Sequence, residues 1–216
     1  IDAAGLPFLK GMNPPAGSKT VAQLKEIVNM AGVPFIVKGI MTVKGALKAK
    51  EAGASGIVVS NHVSAIDPII IAVGQKHRYV HYMGKAELFK NKFLNWFFLS
   101  IGCFPVDRGK SDTASVRHFE KIIADGHVMG IFFEGTRSKD GEFLKPKSGA
   151  ALIAYDTKSP IVPVCITKVG KKHICHFGDL VSLEELGFEK GGAKEFREAT
   201  RRIMEMMKEF REQDTK

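Results

Sequence analysis

The chain reads as an α/β protein, and three observations carry that reading. Apolar runs of strand length recur along it, stretches with apolar residues at helical spacing lie between them, and capping or turn residues mark the junctions. Near the start, Ser18 or Thr20 caps a helix with Val21, Leu24, Ile27 and Val28 on one face. Pro34 to Ile40 is a buried strand, Thr42 caps a second helix through Leu47 to Ala52 with Gly53 as its stop, and Gly56 to Ser60 is another buried strand. Together these predict a β-α-β unit with its two strands paired in parallel. Asp67-Pro68 then reads as an N-cap and first-turn proline opening a helix through Ile71 and Val73. Strands are expected at Tyr79 to Met83, Cys103 to Val106, Val128 to Phe133 and Ile161 to Ile166. Helices are expected at Phe93 to Leu99, from the Ser111 cap through Val116, Phe119 and Ile123 to Gly126, and over about Ala193 to Gln213. The last of these carries Phe196, Ile203, Met207 and Phe210 on one face, which reads as core packing. Pro163 within its strand favours an edge or a bulge.

Composition narrows the function classes. Hydrophobic content of 44% and charged content of 25% are those of a globular protein with a core, which excludes a disordered chain. The balance of 32 Lys+Arg against 23 Asp+Glu gives +9 and favours anionic partners, among them phosphates, coenzyme A and acidic lipids. The basic residues are scattered and no nucleic-acid motif appears, so no nucleic-acid partner is expected. Cys103, Cys165 and Cys175 are an odd number without CxxC spacing and read as reduced core residues of a cytoplasmic protein, with no metal site. No stretch approaches the roughly 18–20 apolar residues that cross a bilayer. The nearest, Phe93 to Val106, is interrupted by Asn95, Ser100 and Gly102, and no signal-peptide pattern is present.

Two polar segments follow apolar strands. In Asn61-His62-Val63-Ser64-Ala65-Ile66-Asp67, the His and the Asp stand five residues apart. On one continuous helix they would point about 140° apart. They meet only if His62 lies in the strand-to-helix turn and Asp67 at the helix start. A carboxylate on one imidazole nitrogen fixes the tautomer, and such a pair can deprotonate an alcohol. Phe132-Phe133-Glu134-Gly135-Thr136-Arg137-Ser138 puts a glycine-containing turn at a strand's carboxyl end, where α/β folds bind ligands; Arg137 offers a donor fork suited to phosphate and Thr136 a hydroxyl. Phe104-Pro105-Val106-Asp107-Arg108-Gly109 repeats the arrangement, so that Arg108 and Arg137 can grip one phosphate, joined by Lys145 and Lys147. Each segment taken alone is also compatible with an ordinary solvated turn.

NHVSAID, FPVDRG, FFEGTRS and IVPV stand in the order and rough spacing of the four motifs of the lysophosphatidate and glycerol-3-phosphate acyltransferases, and residues 61–216 resemble that family. Phe133 stands where the family usually has proline. The resemblance implies a sheet flanked by helices and a catalytic domain over 61–216. It implies His62 as general base, Asp67 as its partner, and Arg108, Glu134, Gly135, Thr136, Arg137 and Lys147 at the phosphoglycerol site, with Pro163 shaping the acyl or acceptor pocket. It further implies acyl transfer from acyl-CoA or acyl carrier protein to lysophosphatidic acid in phospholipid biosynthesis, without a cofactor. Peripheral contact with an anionic membrane, on its cytoplasmic face, is part of the same expectation.

Residues 1–60 resemble something else. PFIVKGIMTVKGALKAKEAGASGIVVSNH is similar to part of the (β/α)8 barrel of the FMN-dependent 2-hydroxy-acid oxidases. That resemblance implies Lys38 and Ser60 near a flavin and His62 as base. The oxidase pattern continues Gly-Gly-Arg, whereas Val63-Ser64-Ala65 stands here, and two of eight strands cannot close a barrel. Ser-Asn-His is common to both patterns. The chain therefore reads as a chimera joined near Ser60-Asn61-His62. The join replaces the family's membrane-seating helices, which bears on anchoring and activity. A flavin oxidase fragment, or a catalytically impaired fusion, is the alternative.

Overall fold

The computed structural model describes residues 35–38, 56–74, 80–100, 102–106 and 112–216. The helices expected over Val21 to Val28 and Leu47 to Ala52, and the Ser111 cap, lie outside the described residues, as does Arg108. Seven strands form one sheet: β1 (Phe35–Lys38), β2 (Gly56–Ser60), β3 (Val80–Lys85), β4 (Cys103–Val106), β5 (Val128–Phe132), β6 (Ile161–Val169) and β7 (Lys172–Phe177). Their order across the sheet is β1-β7-β6-β2-β5-β3-β4. The helices are α1 (Asp67–Gly74), α2 (Lys92–Ser100), α3 (Asp112–Ala124), α4 (Gly149–Thr157) and α5 (Ala193–Thr215), and a 3-10 turn covers Ala86–Phe89.

Strand β2 is buried on both faces, which explains its unbroken apolar sequence. Ile57 and Val59 meet Phe119 and Ile123 of α3, Ala150 to Ala154 of α4, and Ala199, Ile203 and Met207 of α5. Val58 faces the other way, toward Ile69, Ile70 and Ile71 of α1. The methionines of α5 thus serve the core, as its helical spacing predicts: Met204 and Met207 are buried. The three thiols are free and buried; burial pushes Cys103 up to about 12 and Cys165 up to about 11, as expected of packed, unreactive cysteines.

Two expectations are corrected. β1 does not pair with β2, because β6 and β5 occupy both edges of β2. β1 lies beside β7 at the rim of the sheet and is parallel to it. Since β7 runs antiparallel to β6, and β6 parallel to β2, β1 and β2 point in opposite directions. The predicted parallel β-α-β pairing is therefore absent. Pro163 stands in an interior strand, not at an edge or a bulge. It lies opposite Gly178, one position beyond the Val164↔Phe177 pair that ends the β6–β7 ladder, and its carbonyl accepts from the Gly178 N–H at 2.8 Å. The missing proline donor therefore costs only the final rung.

β2, β3, β4, β5 and β6 run parallel, so their carboxyl ends share one edge. At the centre, Gly130 of β5 pairs with Tyr82 of β3, and the Tyr82 ring occupies the space a side chain at 130 would fill. That ring stacks on Phe132, with centroids 5.5 Å apart. Gly130→Ala is expected to lower stability by about 1–3 kcal/mol through overpacking, read as a melting temperature several degrees lower.

A second prediction concerns acid. Burial, helped by His127 and His118, lowers His81 from 6.5 to about 4. The unfolded chain takes up this proton near pH 6.5 but the folded one only near 4, so stability is complete above the first value and falls as pH drops toward the second. Urea denaturation across that interval should show a loss of about 3 kcal/mol by the acid end, and His81→Gln should flatten the slope.

Candidate active site

The carboxyl edge of β2 carries the first predicted segment. Asn61 is buried and extends the pairing with β6: its side-chain nitrogen donates to the Ile166 carbonyl at 2.9 Å, and the Ile166 N–H donates to Asn61 Oδ1 at 2.7 Å. The chain then turns, and α1 begins at Asp67. One carboxylate oxygen organises the turn. Asp67 Oδ2 accepts from the N–H groups of Val63 and Ser64, each at 2.7 Å, and lies 2.7 Å from His62 Nδ1. The His and the Asp meet as the separation argument requires, with His62 in the turn and Asp67 at the helix start.

The capping expectation is corrected. The Ile70 N–H donates to the Ile66 carbonyl at 3.0 Å, so Ile66 is the N-cap and Asp67 the first helical residue. The Asp67 side chain reaches back to the preceding turn instead of covering the helix's own donors. With its Nδ1 proton directed at Asp67, the His62 ring keeps Nε2 as its basic nitrogen. The ring stacks on Phe132 at 4.1 Å between centroids, with 18° between planes, and Tyr82 backs Phe132 in turn. Asp67 Oδ1 and Tyr82 Oη are buried without a hydrogen-bond partner, and burial, with Cys175, Cys103 and Asp67 adding to it, pushes the Tyr82 phenol up.

The second segment is bonded to the first. The Phe133 N–H donates to the Ser60 carbonyl at 3.2 Å, and the Ser138 N–H to the His62 carbonyl at 2.8 Å. Glu134 is buried, and both its oxygens are used by backbone: Oε2 accepts from the His62 N–H at 3.1 Å and Oε1 from the Leu144 N–H at 2.9 Å. Burial pushes its carboxyl above the usual range, opposed by these two donors and by the nearby charges of His62 and Arg211. Glu134 therefore ties the histidine turn to the loop that follows it. Gly135 adopts φ +73°, and Lys147 Nζ would lie 2.8 Å from a side-chain carbon there, so the lysine passes directly over the glycine. Thr136 and Arg137 are exposed on the same turn, two and one residues before Ser138.

His62, Asp67, Glu134, Gly135 and Lys147 are thus linked through contacts, while Thr136 and Arg137 stand beside them at the surface. Pro163 is buried elsewhere: it aligns with Val59, and Phe210 of α5 comes down beside it over Gly178. β4 ends at Val106, two residues before Arg108, so that strand leads toward the same carboxyl edge. Three contributors escaped the sequence reading. Asn61 lies inside the first motif, and its partner Ile166 is 105 residues away in the chain. Lys85, the last residue of β3, is exposed at the carboxyl edge, and its position at a parallel strand's end was the available signal. Arg211, in the last turns of α5, has its guanidinium 3.6 Å from the Phe143 ring centre and 3.6 Å from Glu142 Oε2, which holds the loop that Glu134 binds.

Comparison with known proteins bears on the family. The family profile described as Acyltransferase matches residues 41–167, more than half of the 216-residue chain. A profile of FMN-dependent dehydrogenases matches residues 10–66. The chain is 36% identical over 132 residues to the 1-acyl-sn-glycerol-3-phosphate acyltransferase of Bacillus subtilis, covering 59% of this chain and 65% of that protein. It is 31% identical over 112 residues to the Streptococcus pneumoniae protein of the same name, covering 51% and 41%. The chain thus spans less than two thirds of the length of these relatives. The crystal structure of the 1-acyl-sn-glycerophosphate acyltransferase from Thermotoga maritima shares the fold, with a TM-score of 0.67 over 90% of this chain and 79% of that one, at 23% identity. A profile match over most of the chain, on a fold with that architecture, establishes that this protein belongs to the acyltransferase family.

Proposed function

We propose that residues 61–216 form the catalytic domain of a 1-acylglycerol-3-phosphate O-acyltransferase, which moves a fatty acyl group from acyl-CoA or acyl carrier protein to lysophosphatidic acid and yields phosphatidic acid. The observation that carries this reading is the contact between His62 Nδ1 and Asp67 at the sheet edge where the Glu134–Arg137 turn is bonded. Nε2 of His62 takes the proton of the acceptor hydroxyl as that oxygen attacks the thioester carbonyl. The tetrahedral intermediate collapses with loss of the thiolate, which takes the proton back from His62. No covalent acyl-enzyme is needed, because both substrates are held together and thiolate is a good leaving group. Arg137, Thr136, Lys147 and Arg108 supply donors and positive charge for the acceptor phosphate. Pro163 acts from beneath, through the packing of β6 against α5.

We further propose that residues 1–60 derive from an FMN-dependent oxidase and that the join lies near Ser60-Asn61-His62. The two profile matches overlap over residues 41–66, which supports a junction there. A flavin site is not favoured, because β1 runs opposite to β2 and is separated from it by two strands, unlike neighbouring strands of a parallel barrel. The protein works in peripheral contact with an anionic membrane on its cytoplasmic face. The excess of 32 basic over 23 acidic residues supports that contact, and three free thiols fit a reducing compartment. Among the described residues, no helix is long and apolar enough to cross a membrane.

Two substitutions test the site. His62→Ala should lower thiol release with lysophosphatidate as acceptor by about 10²–10⁴-fold in protein that circular dichroism shows to be folded, and undiminished turnover would sink the proposal. Running glycerol 3-phosphate as a parallel acceptor identifies the preferred alcohol. Glu134→Ala leaves the His62 and Leu144 N–H groups unpaired and should destabilise the fold by about 2–5 kcal/mol, seen as a melting temperature roughly 5–15 °C lower along with lost activity. Lost activity at an unchanged melting temperature would instead show that Glu134 contacts substrate.

A further inference from the structure

Six large apolar side chains are exposed among the described residues, and five of them lie within residues 88–99: Leu88 at 37%, Phe93 at 68%, Leu94 at 37%, Trp96 at 49% and Leu99 at 43%. They belong to the 3-10 turn and to α2, whose sequence KFLNWFFLS is apolar nearly all the way round. This helix is well defined. Asn91 Oδ1 accepts from the Phe93 N–H at 2.9 Å and from the Leu94 N–H at 3.2 Å, capping it, while Phe97 and Phe98 pack against the sheet. Phe93 and Trp96 meet on the outside with centroids 6.0 Å apart. A helix apolar nearly all round is normally covered nearly all round, and among the described residues this one is covered on only part of its circumference.

Charge indicates what covers the rest. Lys85, Lys90 and Lys92 are exposed in the same segment, and Glu87 is the one carboxylate in residues 85–100, so this stretch carries three positive charges and one negative, a net +2. A second copy docking face to face would set these lysines against their counterparts, which is repulsive. An anionic lipid surface answers both features: lysine ammonium groups at headgroup level, with Phe and Trp in the boundary with the acyl chains. Position agrees. The 3-10 turn leaves β3 at Lys85, and β3 and β2 are parallel through β5, so the patch begins at the same edge of the sheet as His62.

We propose that Leu88, Phe93, Leu94, Trp96 and Leu99, with Lys85, Lys90 and Lys92 in the same segment, form the surface that docks this protein on an anionic membrane. The proposal deepens the acyl-transfer reading by naming where the lipid surface lies, though the docking itself does not depend on His62. A phosphate-bearing acceptor anchored by its acyl chain then meets the catalytic edge without leaving the bilayer.

Trp96 is the protein's single tryptophan, so its emission reports on the patch directly. Mixed phosphatidylglycerol–phosphatidylcholine vesicles should shift the emission to the blue, and lipids brominated on their acyl chains should quench it. Pure phosphatidylcholine, or high salt, should weaken both effects. The double substitution Phe93→Ser with Leu94→Ser should lower vesicle partition about tenfold or more, while acyl transfer to a short-chain, water-soluble lysophosphatidate is retained. Absence of a shift or of quenching overturns the proposal. So does a blue-shifted emission already present in dilute, lipid-free protein, or one that grows with protein concentration, since each would mean that the chain itself or a second copy covers the patch. Failure of the unmodified protein to acylate the soluble acceptor, with the vesicle response intact, would count against the catalytic reading and leave the docking surface standing.

Discussion

Asp67 Oδ2 gathers three donors onto one buried atom: two backbone N–H groups and the His62 ring. The rest of the site is arranged around that atom. Without it, the Val63 and Ser64 N–H groups would lose their acceptor and the His62 ring the partner of its Nδ1. The arrangement economises on parts, because the group that shapes the turn also orients the ring proposed as the base. Rigid positioning of this kind is what an acid–base group needs, since proton transfer depends steeply on distance and alignment.

A second layer holds the turn from the opposite side. Glu134 bonds the His62 N–H, and the Ser138 N–H bonds the His62 carbonyl, so the backbone of one residue is fixed at both its polar groups by one segment. The ring is supported from below by Phe132, which rests against Tyr82, whose own position depends on Gly130 having no side chain. Packing and hydrogen bonding thus converge on the same imidazole from independent directions. The basic, exposed Thr136–Arg137 turn and Lys147 are left at the open side, where an anion can approach without desolvating a buried charge.

Much of this was readable in the residues, and the unreadable parts share a cause. The meeting of His62 and Asp67 could be reasoned out because five residues and a following proline leave few geometries. Alternating apolar runs likewise located the central strands and α5. The direction in which Asp67 bends could not be read, since a helix-start carboxylate can serve either its own first turn or the residues before it. Glu134 looked like a ligand group for a similar reason: its inward orientation depends on Leu144, which the local sequence cannot bring near. Asn61 with Ile166, and Arg211 with Phe143, join residues far apart in the chain. The place of β1 was misjudged because strand adjacency depends on which edges are already filled, and those of β2 are filled by strands that come much later.

That outer position of β1 has a bearing on how freely the sequence at this rim can vary. Among the described residues, β7 is its one bonded neighbour, so the ladders between β7, β6, β2, β5, β3 and β4 do not run through β1. Yet a β7 rim without a neighbour would offer a row of open backbone donors and acceptors, an invitation to fibrous self-assembly. Any short β-compatible stretch can shield that rim, and FIVK supplies one. Exchange of sequence at this rim would therefore be structurally cheap, because an incoming strand has a single neighbour to pair with.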